Sequence, residues 1–432
     1  MKDMLKSSDV RGIEKINHPK SRWNINLLLL LWGRMVSDTG SRIQLIVVPL
    51  FILDQGGDGA TIGLFSFLAL APALLIYPLA GVLGDRWNRK RIMVLTDLAS
   101  GSLILLLAVA AYRGSLSLGG LMLVQVAVSL LNGLFDPATK GILPQLVSRE
   151  NLPRANSAVA AMRTLSGLIG PVIGTALYAA FGVAILFVIN GVSFLISGIS
   201  EMLIRYRHVR SDDNSSFGKA LRDGARFVLS NKAIRKLCLF LLTVYGLVMP
   251  LFQVLLPLLF RSRLSYSDQK YGWVQIVIML GALLGSVLVG TLFQSKQRRA
   301  LSFGIALLLL AYLGFTGLIV PGVINHFSAG SLQYLVYLAG AAGILSAAVM
   351  FINVPLQTFI QEQTPEKYLS RVFSIVGLIT KGGLPFGALL YGLALARIDM
   401  HWVGLIVGGL IAILSIIFRF SQSSDDEQTV LD

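Results

Sequence analysis

The sequence predicts an all-α membrane protein with twelve transmembrane helices arranged as two pseudo-symmetric six-helix bundles, and three observations carry that expectation. Hydrophobic residues make up 55% of the 432-residue chain against 14% charged, with a mean hydropathy of +0.73, so hydrocarbon must solvate most of it. The apolar residues fall into about twelve runs of roughly 20 residues, the length at which a helix rising ~1.5 Å per residue crosses ~30 Å of hydrocarbon. The longest polar interruption, from Arg205 to Lys236, lies mid-chain and leaves equal numbers of runs on either side.

Taken in order, residues 1–26 are polar and lack the apolar core of a cleavable signal, so the first span is expected to serve as the insertion signal. Spans of the N-terminal bundle, 27–204, are expected at 27–52, 61–84, 92–112, 118–136, 155–180 and 183–204. In the linker, 205–235, Phe217, Leu221, Ala225 and Val228 share one helical face while Lys219, Arg222 and Arg226 share another. That pattern suits an amphipathic helix lying on the cytoplasmic leaflet. The C-terminal bundle, 236–420, is expected to span at 236–260, 271–293, 300–321, 332–360, 371–396 and 401–420, and the acidic tail 421–432 to be disordered.

The formal charge of +15 does not point to nucleic acid, because the bases sit in short breaks between apolar runs and not along a soluble face. Placing both termini in the cytoplasm puts most Lys and Arg inside and leaves mainly Arg261, Arg263 and Lys270 outside, as the positive-inside rule requires. A single cysteine, Cys238, excludes a disulfide framework. The four scattered histidines give no metal site or nucleophilic triad, and no phosphate-binding Gly-x-x-x-x-Gly-Lys-Ser/Thr loop appears, so neither ATP, a cofactor nor enzymatic catalysis is expected.

The halves echo one another. Leu152-Pro153-Arg154-Ala155-Asn156-Ser157 at the fifth span matches Leu369-Ser370-Arg371-Val372-Phe373-Ser374 at the eleventh, and Gly170-Pro171-Val172-Ile173-Gly174 matches Leu384-Pro385-Phe386-Gly387-Ala388. With equal helix counts, these favour a duplicated six-helix unit of the kind that transporters rock about a central site.

Ionisable residues inside a span cost at least about 2.5–3.5 kcal/mol and so need a partner or a function. Arg34, Asp38 and Arg42 recur every fourth residue of the first span and share one face. Asp38 reads as the one clear mid-membrane carboxylate and is the candidate proton carrier; a structural Arg34–Asp38–Arg42 ion network is the alternative reading. Arg163 and Lys381 add two bases on the fifth and eleventh spans. If all four bases face the centre, the cavity is net positive and favours anionic or zwitterionic amphiphiles.

Between the second and third spans runs Gly81-Val82-Leu83-Gly84-Asp85-Arg86-Trp87-Asn88-Arg89-Lys90-Arg91. A carboxylate at a helix end can sit against a neighbouring helix N-terminus, and guanidinium groups bind carboxylates bidentately, which makes a latch; serving only as topology determinants is the plainer role for the bases. The segment resembles the loop signature of the Major Facilitator Superfamily. Asp85-Arg86 followed by Leu95-Thr96-Asp97-Leu98, and Phe135-Asp136-Pro137-Ala138 leading to Leu143-Pro144-Gln145-Leu146-Val147, make the chain similar to the bacterial drug-exporter branch that includes macrolide efflux proteins and the enterobactin exporter. The resemblance implies the major facilitator fold. It also implies that Gly81, Asp85, Arg86, Arg89, Lys90 and Arg91 form a latch in which Asp85 caps the eleventh span and the bases engage Asp97 or Asp136. The equivalent loop of the second half, Gly290 to Arg299, has no acid and implies a weaker latch.

Gly167, Gly170, Pro171 and Gly174 resemble part of the glycine-proline motif of antiporters, although small residues also serve general helix packing. Gln44, Gln125, Asn132, Tyr245, Gln253, Asn353 and Gln357 fall on the spans that the family architecture places around a cavity. The expected function is a proton-coupled antiporter exporting amphiphilic drugs or metabolites by alternating access. It would work as a monomer in the bacterial cytoplasmic membrane. Siderophore export or lysophospholipid flipping is the alternative, and a non-transporting sensor or scaffold a distant one.

Overall fold

A computed structural model describes residues 25–148, 151–206, 222, 226–293, 297–327, 331–362, 364 and 366–429, and among these no strand occurs. The N-terminal half contains α1 (Ile25–Asp54), α2 (Gly59–Arg86), α3 (Arg89–Tyr112), α4 (Leu118–Leu146) and a helical stretch Leu152–Leu203 that Gly182 divides into α5 and α6. In the C-terminal half, α7 begins as Lys232–Thr243 and continues through wide π-helical turns to Arg263. It is followed by α8 (Asp268–Leu292), α9 (Gln297–Leu318), α10 (Leu332–Glu362), α11 (Glu366–Leu395) and α12 (Met400–Thr429), with a short helix Pro321–Phe327 before α10.

Among the described residues, eleven stretches are long and apolar enough to cross a bilayer. One of them, Ala161–Leu203, has 43 residues. At ~1.5 Å per residue that is about 65 Å, twice the hydrocarbon thickness. Gly182, at φ 72°, occupies the left-handed region that L side chains avoid, and there the chain reverses, so eleven stretches make twelve crossings.

Two boundaries differ from expectation. The fourth span, expected to stop at Asp136, runs on through Pro137 and Pro144 to Leu146, because a proline removes only one helical bond while leaving the helix in lipid would strand several. The tail expected to be disordered continues α12 as far as Thr429, since no Gly or Pro after Arg419 interrupts it. Residues 1–24 and most of the expected amphipathic linker helix lie outside the described residues; the described part of that helix, Arg222 and residues 226–228, is helical.

Lipid-facing positions carry exposed Leu75, Leu106 and Leu310, and exposed tryptophans mark both ends, Trp87 at one and Trp273 and Trp402 at the other. Because lipid tails are as apolar as leucine, helices associate here through close packing. A β-carbon on Gly33 would lie 3.2 Å from Ser197 Oγ, and one on Gly40 2.6 Å from Asn190 Oδ1, so α1 rides directly on α6. Gly170 and Gly174 bring α5 equally close to Arg42 and Ile43 of α1.

The halves meet along two seams. Added β-carbons would meet Ala388 O at 2.6 Å from Gly63, joining α2 to α11, and Pro171 O at 3.6 Å from Gly272, joining α8 to α5. Since α2 and α8, like α5 and α11, hold equivalent places in the two six-helix units, the seams are the paired contacts that a duplicated fold produces. Both sit toward the distal face, opposite the chain termini.

Candidate functional site

A cavity of about 530 Å³ is set mainly in the N-terminal half, with Tyr245 and Leu384 reaching it from the C-terminal half. α1 supplies Arg34, Ser37, Asp38, Ser41, Arg42 and Gln44; one helical face at every third or fourth residue therefore forms a polar wall, as the four-residue spacing requires. Beside it stand Gln125, Asn132 and Asp136 of α4, with Asp97, Arg163, Asn190 and Tyr245 completing the polar lining and Phe65, Leu70, Leu74, Phe135 and Phe194 among the apolar residues. Tyr245 reaches the cavity from the first wide turn of α7, and Asn353 Nδ2 donates to its hydroxyl at 3.2 Å.

Charge on the wall is paired across helices. Arg34 lies 3.4 Å from Asp38 and 3.8 Å from Asp136, and Arg163 lies 3.8 Å from Asp136. The guanidinium of Arg34 also sits 4.9 Å above the Phe135 ring. Deeper along α1, Gln44 donates to Gln125 at 3.2 Å and accepts from Asn190 Nδ2, a buried amide chain linking α1, α4 and α6.

Of the residues singled out from sequence, Asp38, Arg34, Arg42, Arg163, Gln44, Gln125, Asn132 and Tyr245 converge on this cavity. Asn353 touches it only through Tyr245, Gln253 is half-buried away from it, and Gln357 is exposed. The Lys381 side chain lies outside the described residues. The expectation of a net-positive cavity counted four bases; among the described residues three arginines line the cavity beside three aspartates, Asp38, Asp97 and Asp136, and the fourth base, Lys381, lies outside them. Asp38 is likewise not alone as an intramembrane carboxylate, because Asp97 and Glu201 are buried beside it in the same half. Sequence reading placed Asp97 in the loop latch and missed Glu201 and Asn190. Glu201 lies two residues before the end of α6 and reads as interfacial; Ser193, Ser197 and Ser200 mark the polar face it shares.

Of the latch residues, the described bases make backbone contacts. Arg89 Nη1 donates to Gly141 O at 2.7 Å, and Lys90 Nζ donates to Met202 O at 2.7 Å. The bases therefore hold backbone carbonyls late in α4 and α6, while Asp136 faces Arg34 and Arg163 and Asp97 is buried between α3 and α6. Cations suit such helix ends. Arg91 is exposed, and Gly81, Asp85 and Arg86 end α2 with their side chains outside the described residues. Within the glycine-proline segment, Gly170 and Gly174 pack on α1, whereas Gly167 faces Met279 of α8 in the other half.

A second charged group bridges the halves at the distal face. Arg261 at the end of α7 bonds Asp54 at the end of α1 at 2.8 Å and Asp268 at the start of α8 at 2.9 Å. Tyr178 of α5 donates to the same Asp54 oxygen at 2.5 Å. Nearby, Arg263 pairs with Asp399 at 2.6 Å within the C-terminal half. Like the glycine seams, this ion group joins the two halves at the distal face.

Comparison with known proteins follows the same architecture. The family model described as Major Facilitator Superfamily matches residues 30–379. Macrolide efflux protein A of Streptococcus pyogenes is 25% identical over 94% of this chain and 97% of its own length. The multidrug efflux pump Tap of Mycolicibacterium fortuitum is 26% identical over 85% and 88%. Among solved structures, a bacterial homologue of the iron transporter ferroportin in the inward-facing state superimposes with a TM-score of 0.69 at 18% identity, covering 92% of this chain and 98% of that one. The nucleoside transporter NupG gives 0.70 at 14% identity over 92% and 99%.

Proposed function

The chain belongs to the Major Facilitator Superfamily, and from that premise we propose that it exports amphiphilic small molecules by alternating access, drawing on an inward proton gradient. The central observation is the polar cavity, together with a charged group that ties the two halves at the distal face. Its size suits a small organic solute, and its mixed lining binds an apolar body while orienting a polar head. Relatives named for macrolide and multidrug efflux support export as the direction.

With the termini in the cytoplasm of a bacterial cell, as the distribution of bases favours, the distal face is external and this is the form closed to the outside. Substrate enters from the cytoplasm or inner leaflet, the bundles rock, the Arg261–Asp54 pair parts, and the cavity opens outward. Intramembrane carboxylates at or behind the cavity wall are the groups that exchange the driving proton, and Asp38, held by Arg34, is the candidate that the sequence names. One chain contains the whole cavity, so a monomer suffices. Three aspartates facing three arginines favour zwitterionic or cationic amphiphiles as readily as the anions that siderophore or lysolipid transport would need.

The test is accumulation of macrolides and other amphiphiles in a pump-deficient bacterium expressing the chain. Lower accumulation than in the vector control, abolished by an uncoupler, is expected. Accumulation equal to the control across the whole panel would refute export, and an uncoupler-insensitive decrease would refute proton drive.

A further inference from the structure

Behind the cavity wall, where α1, α3 and α6 meet, two carboxylates are buried together. Asp97 of α3 is 2% exposed and Glu201 of α6 is 1% exposed. Asp97 packs on Gly198, whose added β-carbon would lie 3.5 Å from the Asp97 Cβ, and Glu201 follows Gly198 by one helical turn on the same helix. Asp97 borders the cavity; Glu201 does not. Both carboxylate oxygens of Glu201 and Oδ2 of Asp97 lack a hydrogen-bond partner among the described residues.

Among the described residues, the charged groups around the pair are few. From α1 comes Arg34, 5% exposed, whose two terminal nitrogens are already directed to Asp38 and Asp136. From α4 comes Asp136, and from α5 Arg163, which is turned to Asp136. Toward the terminal face, Lys90 and Arg89 of α3 are committed to the carbonyls of Met202 and Gly141, and Tyr206 follows α6. One buried guanidinium thus serves four carboxylates, two of them with oxygens that nothing described satisfies. Two ionised acids side by side in a dry site repel each other and lose their hydration, and a proton on one removes both penalties.

We infer that Asp97 and Glu201 form the transporter's proton-binding site, sharing one exchangeable proton that enters and leaves through the cavity-facing Asp97. This rests on the proton-driven reading above and names the carrier within it. When the pair gives up its proton, its added negative charge draws Arg34 inward and frees Asp38 and Asp136. When the pair takes a proton, Arg34 returns to the cavity acids. Proton occupancy is thereby converted into a change of charge on the cavity wall, which is what an antiporter needs to exclude proton and substrate from binding together.

The purified full chain reports this without a substrate. Infrared difference spectra between about pH 6 and pH 8 should show the carbonyl stretch of a protonated carboxylic acid that shifts in deuterium oxide. The band should be lost in E201Q and, at the upper end of that range, in D97N, retained in D38N and restored by E201D. E201Q copies the shape of the protonated acid, and D97N covers the case in which E201Q does not fold. A band surviving in both E201Q and D97N, or lost only in D38N, overturns the inference and leaves proton antiport standing. An uncoupler-insensitive wild-type protein overturns antiport instead, and with it the coupling role of the pair.

Discussion

Replacing Arg261 with alanine isolates the energy that holds the distal side shut. Of its two carboxylate contacts, Asp268 belongs to the same half and travels with it, so only the 2.8 Å bond to Asp54 distinguishes the closed form from the open one. Both partners are partly wet, at 24% and 37% exposure, which places this charge-assisted bond at about 1–2 kcal/mol, above a surface pair and below a buried one. That is roughly a 5- to 30-fold shift in population toward the outward-open form. The assay uses a Cys238→Ser background with Ser41→Cys in the cavity, labelled in vesicles by a membrane-impermeant maleimide from the distal side. Labelling should quicken by that factor in R261A and similarly in D54N, and D268N should stay as closed as the parent. An unchanged rate in R261A, or equal acceleration by D268N, would refute the lock.

Three further outcomes follow from the packing. Gly40→Leu should destabilise the protein by about 1–3 kcal/mol, because the new side chain meets Asn190 Oδ1 and backbone of α6; a thermal melt equal to wild type would contradict the α1–α6 contact. Asn190→Ala removes the donor to Gln44 and strands a buried oxygen at a cost of about 1–3 kcal/mol, read as a lower melting temperature that a compensating Gln44→Leu partly restores; no restoration would sever the two amides. Asp58 caps α2 by accepting from Thr61 N at 2.9 Å and Thr61 Oγ1 at 2.7 Å, and these bonds hold its carboxyl below the ordinary range. Its contribution is complete above the unfolded carboxylate value and disappears as pH falls through the lower folded one. Asp58→Ala should therefore cost about 0.5–2 kcal/mol at neutral pH and nothing in strong acid, and a pH-independent loss would exclude the cap.

Hydropathy made the helices legible, because bilayer thickness fixes the length of every span, and the four-residue recurrence of Arg34, Asp38 and Arg42 was enough to find the polar wall of α1. Charge bookkeeping was not legible. The family resemblance offered Asp97 and Asp136 as partners for Arg89 to Arg91, but it could not show that Asp136 also pairs with Arg34 or that Asp97 is buried in the half that holds the buried Glu201, because those neighbours come from helices distant along the chain. The end of α4 was not legible in the apolar run, which gives out near Asp136, whereas the helix runs on through Pro137 and Pro144 to Leu146 because in lipid stopping costs more than losing one helical bond. The distal lock was invisible in principle, since Asp54 and Arg261 are brought together only when the two halves dock.

The most direct measurement is the sidedness of a single cavity position. With Cys238 replaced by serine and Asn132 by cysteine, an impermeant thiol reagent should reach residue 132 from the terminal side at rest, and from the distal side when the Arg261 lock is removed. Reaction from one side only under both conditions would contradict a shared cavity that opens to each face in turn.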